Sequence, residues 1–365
     1  MDIVLYSISK IVNGQIHINN ISLKIESGAT NVILGHTLAG KTSLLRLMAG
    51  LDRPTSGRIL VDGKDVTGLS IRKRSVAMVY QQFVNYPSMT VYKNIASSLK
   101  MGGMKKSEID RKVRKTAAML HIEDLLERLP AELSGGQQQR TAIARSLVKD
   151  AELLLLDEPL VNLDYKLREE LQVELQDIFK QRKAIVVYTT TEPTEALILG
   201  GNIVVIHEGS VLQSGPTPEV YRNPATINVA QVLSDPPINL LNGTIQADTI
   251  RLGNDIEIPL NSHHNILKSL PAGNYMFGLR PNHIHLSRVG EKDAEIRVKV
   301  ELAEINGTET FIHVHHGDFH LVVQEYGIHP MQIGSDISIY VDPSLLFVYD
   351  EKGSLCLSPF KNGLD

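Results

Sequence analysis

Cysteine is almost absent from this chain. Cys356 stands alone among 365 residues. That excludes an internal disulfide and cysteine-rich metal sites, and it fits a reducing compartment. Long hydrophobic runs are missing too, and no stretch approaches the ~20 apolar residues of a membrane span. Work at a membrane would therefore go through something embedded there. The opening Met1-Asp2-Ile3-Val4-Leu5 has no basic segment followed by a long apolar one, so no signal peptide is expected. The net charge of −4 leaves no global electrostatic case for nucleic acid. The pattern G-x-G-x-x-G after a strand does not occur, and neither does an internal repeat or a low-complexity tract. The 42% apolar content supplies ample packed core, and the length suggests two or three domains at ~150 residues each.

What the sequence does contain is Gly35-His36-Thr37-Leu38-Ala39-Gly40-Lys41-Thr42, between the apolar run Thr30 to Leu34 and a helix-like segment Ser43 to Ala49. This is G-x-x-x-x-G-K-[ST] in the strand–loop–helix context it requires. Glycines let the backbone turn tightly so that its N–H groups ring a phosphate, and the helix dipole adds to the attraction. Lys41 would reach the terminal phosphates, and the Thr42 hydroxyl would hold Mg²⁺. A plain Gly-rich strand–helix turn is the bland alternative.

The surrounding chain reads as an α/β fold. Val4 to Val12 and Gln15 to Ile25 form a hairpin about Asn13-Gly14. Arg58 to Val61 and Ser75 to Tyr80 are short strands. Residues from about Val91 to Lys149 are helical, with Ser107 expected to cap a segment ending near Leu120. Leu153 to Leu156, Ala184 to Tyr188 and Ile203 to His207 are apolar strands. They alternate with helices at Tyr165 to Gln181 and Glu195 to Leu199, which indicates a parallel sheet buried on both faces. Ser234-Asp235-Pro236-Pro237 is the expected domain boundary. Beyond it, β-rich pieces from Gly243 to Val341 suggest a small Greek-key barrel of the oligonucleotide-binding kind.

Two further strings carry chemistry. Leu153 to Leu156 ends in Asp157-Glu158-Pro159. Asp157 is placed to order water around Mg²⁺, and Glu158 to orient or deprotonate an attacking water; solvated charges at a strand end are the alternative. Leu133-Ser134-Gly135-Gly136-Gln137-Gln138-Gln139-Arg140 makes a second anion-binding helix start, or an ordinary Ser cap with a Gly turn. Together with the phosphate loop, these strings closely resemble the ATP-binding subunits of ABC transporters, from about Val4 to Pro237 in consistent order.

The resemblance implies an α/β P-loop NTPase of the ABC type over residues 1–234, with a helical subdomain at about 82–150 and an OB-like (TOBE) regulatory domain over 235–365. It implies ATP and Mg²⁺ as cofactors. Gly35 to Ser43 would cradle phosphates, Thr42, Gln81 and Asp157 would manage Mg²⁺, and Glu158 would activate water. Gln81 corresponds to the Q-loop glutamine, and Leu163-Asp164, in Val161-Asn162-Leu163-Asp164, to the D-loop. The family works as a head-to-tail dimer. ATP would lie between one subunit's phosphate loop and the other's Ser134, Gly135, Gly136 and Gln137. Implied partners are integral membrane permeases that dock near Phe83 to Lys93, a second ATP-binding subunit and, indirectly, a solute-binding protein; nucleic acid is not among them. The implied location is peripheral, on the cytoplasmic face of the bacterial inner membrane.

Four positions depart from the family pattern. Thr191 falls at the switch histidine, and it lacks an imidazole's reach and charge. Val12 falls where an aromatic would stack on adenine, with Tyr6 a weaker substitute. His36 replaces a proline, and Val161 a small polar residue. Phe277-Gly278-Leu279-Arg280-Pro281-Asn282-His283-Ile284 is similar to a regulatory-barrel signature of carbohydrate-importer ATPases of the maltose and glycerol-phosphate type, and Leu-Ala-Gly-Lys-Thr-Ser with Thr-Thr-Glu-Pro-Thr-Glu-Ala-Leu resembles an ATPase subunit of bacterial glycerol importers. The expected function is thus an importer ATPase for a sugar, polyol or glycerol-type solute. The alternatives are a catalytically weakened nucleotide-binding subunit paired with a histidine-containing sister, and a soluble ABC ATPase of translation or repair. Against the last, the chain shows one phosphate loop and one cysteine. His313, His315 and His316 invite a metal reading, with a surface strand the expectation. Arg111-Lys112 and Arg114-Lys115 read as a solvated helix face.

Overall fold

A computed structural model describes residues 1–101, 103–161, 163–246, 248–253, 255–260 and 265–360. The chain opens with β1 (Asp2–Val12) and β2 (Gln15–Glu26), paired antiparallel. Asn13 and Gly14 have φ of 51° and 80°, the left-handed pair that a tight hairpin turn requires. Next come β3 (Thr30–Leu34), the phosphate loop and α1 (Lys41–Ala49), then β4 (Ser56–Val61), β5 (Lys64–Asp65) and β6 (Val76–Val79). Helices α2 (Val91–Met101), α3 (Lys106–Met119) and α4 (Gly135–Leu147) follow before the chain returns to β7 (Leu153–Asp157). The remainder of this part is α5 (Tyr165–Lys180), β8 (Ile185–Thr190), α6 (Pro193–Leu199), β9 (Asn202–His207) and β10 (Ser210–Pro216).

Two sheets result. One is antiparallel, in the order β2-β1-β4-β5; the other runs β10-β9-β3-β8-β7-β6, parallel throughout except for the edge strand β10. Every residue of β7 and β8 is buried, which is why these strands read as unbroken apolar or Thr-rich runs rather than alternating ones. The register aligns Leu34 with Thr190 and Asp157 with Thr189. The carboxyl ends of β3, β7 and β8 therefore lie side by side, and the segments that leave them share one edge.

The helical insertion is present, between β6 and β7. Ser107 does not cap α3: the helix starts at Lys106 with Lys105 at the cap position, and the Lys105 carbonyl accepts from the N–H groups of Glu108 and Ile109. Lys105, at φ −64° and ψ 143°, takes the extended conformation a cap requires, so backbone geometry rather than a hydroxyl sets this start.

Compact packing divides the chain at Met1–Thr217 and Pro218–Asp365. Residues 218–234, read from sequence as part of the first domain, have their contacts in the second unit, where Ala230 packs with Ile238, Phe347 and Tyr349. In this second unit, helices α7 (Thr217–Arg222) and α8 (Ile227–Val232) precede strands β11 (Asn239–Gln246), β12 (Thr249–Leu252), β13 (Ile256–Pro259), β14 (Gly273–Leu279), β15 (Ile284–His285) and β16 (Ala294–Ile305). Strands β17 (Glu309–His316), β18 (Phe319–Tyr326), β19 (Asp336–Val341), β20 (Phe347–Tyr349) and β21 (Leu355–Leu357) complete it. They form the sheets β13-β12-β11-β14-β20-β21 and β15-β19-β16-β17-β18, which share one core of residues such as Leu241, Phe277, Val314 and Ile339 in a small β-barrel arrangement.

His313 and His315 stand on the outer, half-buried face of β17, and His316 ends the strand half-buried. His315 and His320 both meet Glu301, at 3.0 and 3.2 Å, and His316 meets Asp255 at 3.0 Å. No group of three or more His, Cys, Asp or Glu side chains among the described residues is placed to hold a metal ion.

Leu155 lies fully buried in β7, inside the sheet. Leu155→Ala should cost about 2–5 kcal/mol of unfolding free energy, read from the shift of a urea transition. A loss under about 1 kcal/mol would count against a closely packed sheet at this point.

Candidate nucleotide site

The phosphate loop is built by one backbone requirement. Gly40 caps α1 at φ 103°, and a Cβ there would meet the His17 carbonyl oxygen at 2.7 Å. Only glycine turns the chain here without both strain and collision. The turn aims the first N–H groups of α1, at Lys41, Thr42 and Ser43, outward from a helix that offers them no partner. Support comes from the β9–β10 turn, where Gly209 donates to the Ala39 carbonyl at 2.9 Å.

Lys41 is 4% exposed. Its ammonium donates to the carbonyls of Gly35 (2.7 Å) and His36 (2.9 Å) and pairs with Glu158 Oε1 at 3.1 Å. Glu158 Oε2 accepts from Gln81 Nε2 at 3.0 Å. Glu158 has φ 44°, a left-handed conformation that is costly for a side-chain-bearing residue. Its N–H is held by Thr189 Oγ1 at 3.0 Å. Asp157 Oδ1 accepts from both Thr42 Oγ1 (3.1 Å) and Thr189 Oγ1 (3.0 Å). Burial pushes the Asp157 carboxyl above its usual range, against the pull of these two hydroxyls.

A cleft of about 510 Å³ opens over this arrangement, lined by Thr37, Leu38, Gly40, Lys41, Thr42, Ser43, Gln81, Glu158, Val161 and Thr191, with Gln15, Ile16 and His17 at its rim. Leu38 stands 96% exposed at the loop tip. Gly35 and Ala39 are buried beneath the loop, and His36 contributes its carbonyl rather than its ring. Thr191 thus reaches the cleft. Val12 does not line it: Val12 ends β1 opposite Gln15, and the next residues along β2 take the rim. His17 Nδ1 lies 3.4 Å from Ser43 Oγ.

Ser134, Gly135, Gly136 and Gln137 do not line this cleft. They open α4 with a reciprocal capping box, Ser134 Oγ accepting from the Gln137 N–H (3.3 Å) and Gln137 Oε1 from the Ser134 N–H (3.0 Å). A Cβ on Gly136 would meet Leu167 Cδ2 at 2.1 Å, so a larger residue there would require the Leu167 side chain to move. Asp164 caps α5, accepting from the Leu167 N–H at 3.0 Å. Asn162 lies outside the described residues.

Sequence reasoning missed the buried group that ties the residues just before Thr191. Glu195, 6% exposed, accepts from Thr190 Oγ1 (2.7 Å) and Tyr188 Oη (3.1 Å). The Thr190 hydroxyl in turn accepts from the Glu192 N–H at 3.0 Å. Strand alternation was the available signal: it sends Thr189 to Asp157 and Thr190 to the opposite face. The rim residues Gln15, Ile16 and His17 carried no comparable signal.

A phosphate loop at the carboxyl end of a parallel sheet, with a carboxylate pair at the end of the next strand but one, defines a P-loop nucleoside-triphosphatase site. Comparison with known proteins agrees. Residues 18–161 match the ABC transporter family model, and 277–348 match the TOBE domain. The sn-glycerol-3-phosphate import ATP-binding protein UgpC of Psychromonas ingrahamii is 36% identical over 346 residues, 93% of this chain and 90% of its own length. UgpC of Escherichia coli is 35% identical over 336 residues, covering 91% and 93%. Among solved structures, the ATP-binding cassette MJ0796, in a dimeric post-hydrolysis state with ADP and Pi, aligns with a TM-score of 0.54 at 27% identity, over 59% of this chain and 98% of its own. The chain belongs to the ATP-binding subunits of ABC transporters, and ATP hydrolysis is its chemistry.

Two predictions follow from this geometry. Lys41→Ala removes the ammonium beneath the loop and leaves Glu158 without its cation. Affinity for a fluorescent ATP analogue should fall by about tenfold or more, the worth of one charge-assisted contact; unchanged affinity would remove Lys41 from the site. Glu195→Ala leaves the Thr190 and Tyr188 hydroxyls buried without their acceptor, at a cost of about 1–3 kcal/mol each. Burial raises the Glu195 carboxyl, so its protonated form is the one folding favours. That contribution is full below the ordinary carboxylate range and is lost as pH rises through the raised value. Glu195→Gln should therefore unfold at neutral pH at a temperature no lower than the parent, measured by calorimetry.

Proposed function

We propose that this chain powers an ABC importer for a sugar, polyol or glycerol-type solute, with a glycerol phosphate the favoured cargo. The observation that carries this reading is the likeness to import ATP-binding proteins over 346 residues, across both compact units. No helix among the described residues is long and apolar enough to cross a membrane. The chain would therefore dock from the cytoplasmic side on permease subunits that a solute-binding protein supplies. The exposed Val84 and Tyr86, just beyond Gln81, offer an apolar landing for a permease helix.

The donor set suits Mg²⁺. Hard oxygen ligands stand together in the Thr42 hydroxyl and the Asp157 carboxylate, and Mg²⁺ is usually held by one or two carboxylates plus the phosphates of its substrate. Gln81 would complete the protein's share. The ion supplies charge neutralisation at the phosphates when bound. Lys41 and the loop N–H groups bind the β- and γ-phosphates. Glu158 orients and deprotonates the attacking water once phosphate draws Lys41 away from it. Ser134, Gly135, Gly136 and Gln137 close over the ATP of a second ATP-binding subunit, and Asp164 lies at the same seam.

Thr191 supports a second reading, in which this chain turns over slowly and pairs with a sister subunit that carries the switch histidine. A threonine hydroxyl can hydrogen-bond a phosphate oxygen but cannot supply an imidazole's charge or reach.

In the assembled transporter, Glu158→Gln should lower ATP turnover by about 10²-fold or more and accumulate a closed ATP-bound dimer visible by size-exclusion chromatography. Undiminished turnover would sink the assignment of Glu158. Thr191→His should raise the turnover of the purified chain; robust hydrolysis by the parent alone, with no gain on substitution, would reject the slow-subunit reading.

A further inference from the structure

The basic face of α3 is exposed at Arg111 and Lys115, and it borders a cleft. Arg111, Lys112 and Lys115 recur at helical spacing and converge on the ends of α4 and α5, where Arg182 meets them from the turn after α5. Like charges at these spacings repel on an isolated helix, and an anion between them would relieve that repulsion. The cleft they line has a volume of about 390 Å³, with a partly apolar wall that includes Leu147 and Ile178.

The local charge is not balanced by the protein. Among the described lining residues Asp150 is the sole carboxylate against four cations, and it is shared between Lys112 Nζ (2.8 Å) and Arg182 Nη2 (3.9 Å). Arg111 and Lys115 have no ion-pair partner among the described residues. Arg182 is fixed by donation to the Leu147 carbonyl, and its side chain is only 16% exposed. Arg114, one position from Lys115, pairs with Asp110 at 3.1 Å and does not line the cleft. A concave site with a net excess of guanidinium and ammonium groups offers the donor types that phosphate oxygens take, and its size suits a small ligand.

We propose that this cleft binds a small phosphate-bearing anion, held between α3 of the helical insertion and the end of α5. It shares no residue with the nucleotide cleft. A ligand there ties the insertion to the sheet-bearing core, so its occupancy couples to how firmly the two are held together.

The test uses the full chain carrying Lys41→Ala, so that the phosphate loop does not compete for the probe. Inorganic phosphate, pyrophosphate and glycerol 3-phosphate are titrated calorimetrically at an ionic strength matched with sodium chloride. Saturable binding is expected, weakened at least tenfold by Arg111→Ala with Lys115→Ala and unchanged by Arg114→Ala. Lys115→Glu alone, at an exposed position, should weaken binding in the same direction. Tighter binding of glycerol 3-phosphate would identify an organophosphate ligand, and equal or tighter binding of the inorganic ions an inorganic one. Absence of saturable binding, or the same dissociation constant with Arg111 and Lys115 replaced, overturns the proposal.

Discussion

The nucleotide site depends on one buried ammonium. Lys41 sits almost without solvent at the start of α1, and a charge in that position must be compensated locally. Two loop carbonyls and Glu158 do so. This arrangement fixes the loop around the side chain and draws the strand-end carboxylate toward it. Gln81 is tied to the same carboxylate.

The parallel sheet makes this pairing possible. β3, β7 and β8 end at a common edge because their registers align Leu34 with Thr190 and Asp157 with Thr189. The three threonines at 189–191 then divide their work by strand alternation. Thr189 serves Asp157 and the backbone of Glu158, Thr190 serves Glu195, and Thr191 lines the cleft. The buried Glu195 carboxyl thereby ties Tyr188 and Thr190, the residues that lead to Thr191.

Local strings carried most of what was legible in advance. The phosphate loop, the Asp157-Glu158 pair and the strands of both units follow from backbone rules and short-range periodicity, and the observed elements begin and end close to the expected ones. What escaped depends on backbone geometry and packing that no short string states. Val12 pairs with Gln15 across the hairpin, and the side chains at the rim of the cleft are those of Gln15, Ile16 and His17. Ser107 failed as a cap because the extended backbone at Lys105 already started the helix. The membership of residues 218–234 in the second unit could not be read from composition, since only packing against Ile238, Phe347 and Tyr349 places them.

The sequence by itself determined the chemistry that this protein can perform. Glycine at position 40, a lysine and a threonine after it, and two acids at a strand end are requirements of local geometry and ligand type, and both are written in residue order. Only the tertiary structure decided which groups meet. The Lys41–Glu158 pair spans 117 positions of the chain, and Arg182 reaches the basic face of α3 from a separate helix end. Contacts of that kind follow from how strands register and helices pack, and those are set by the burial of the whole core rather than by any one stretch of residues.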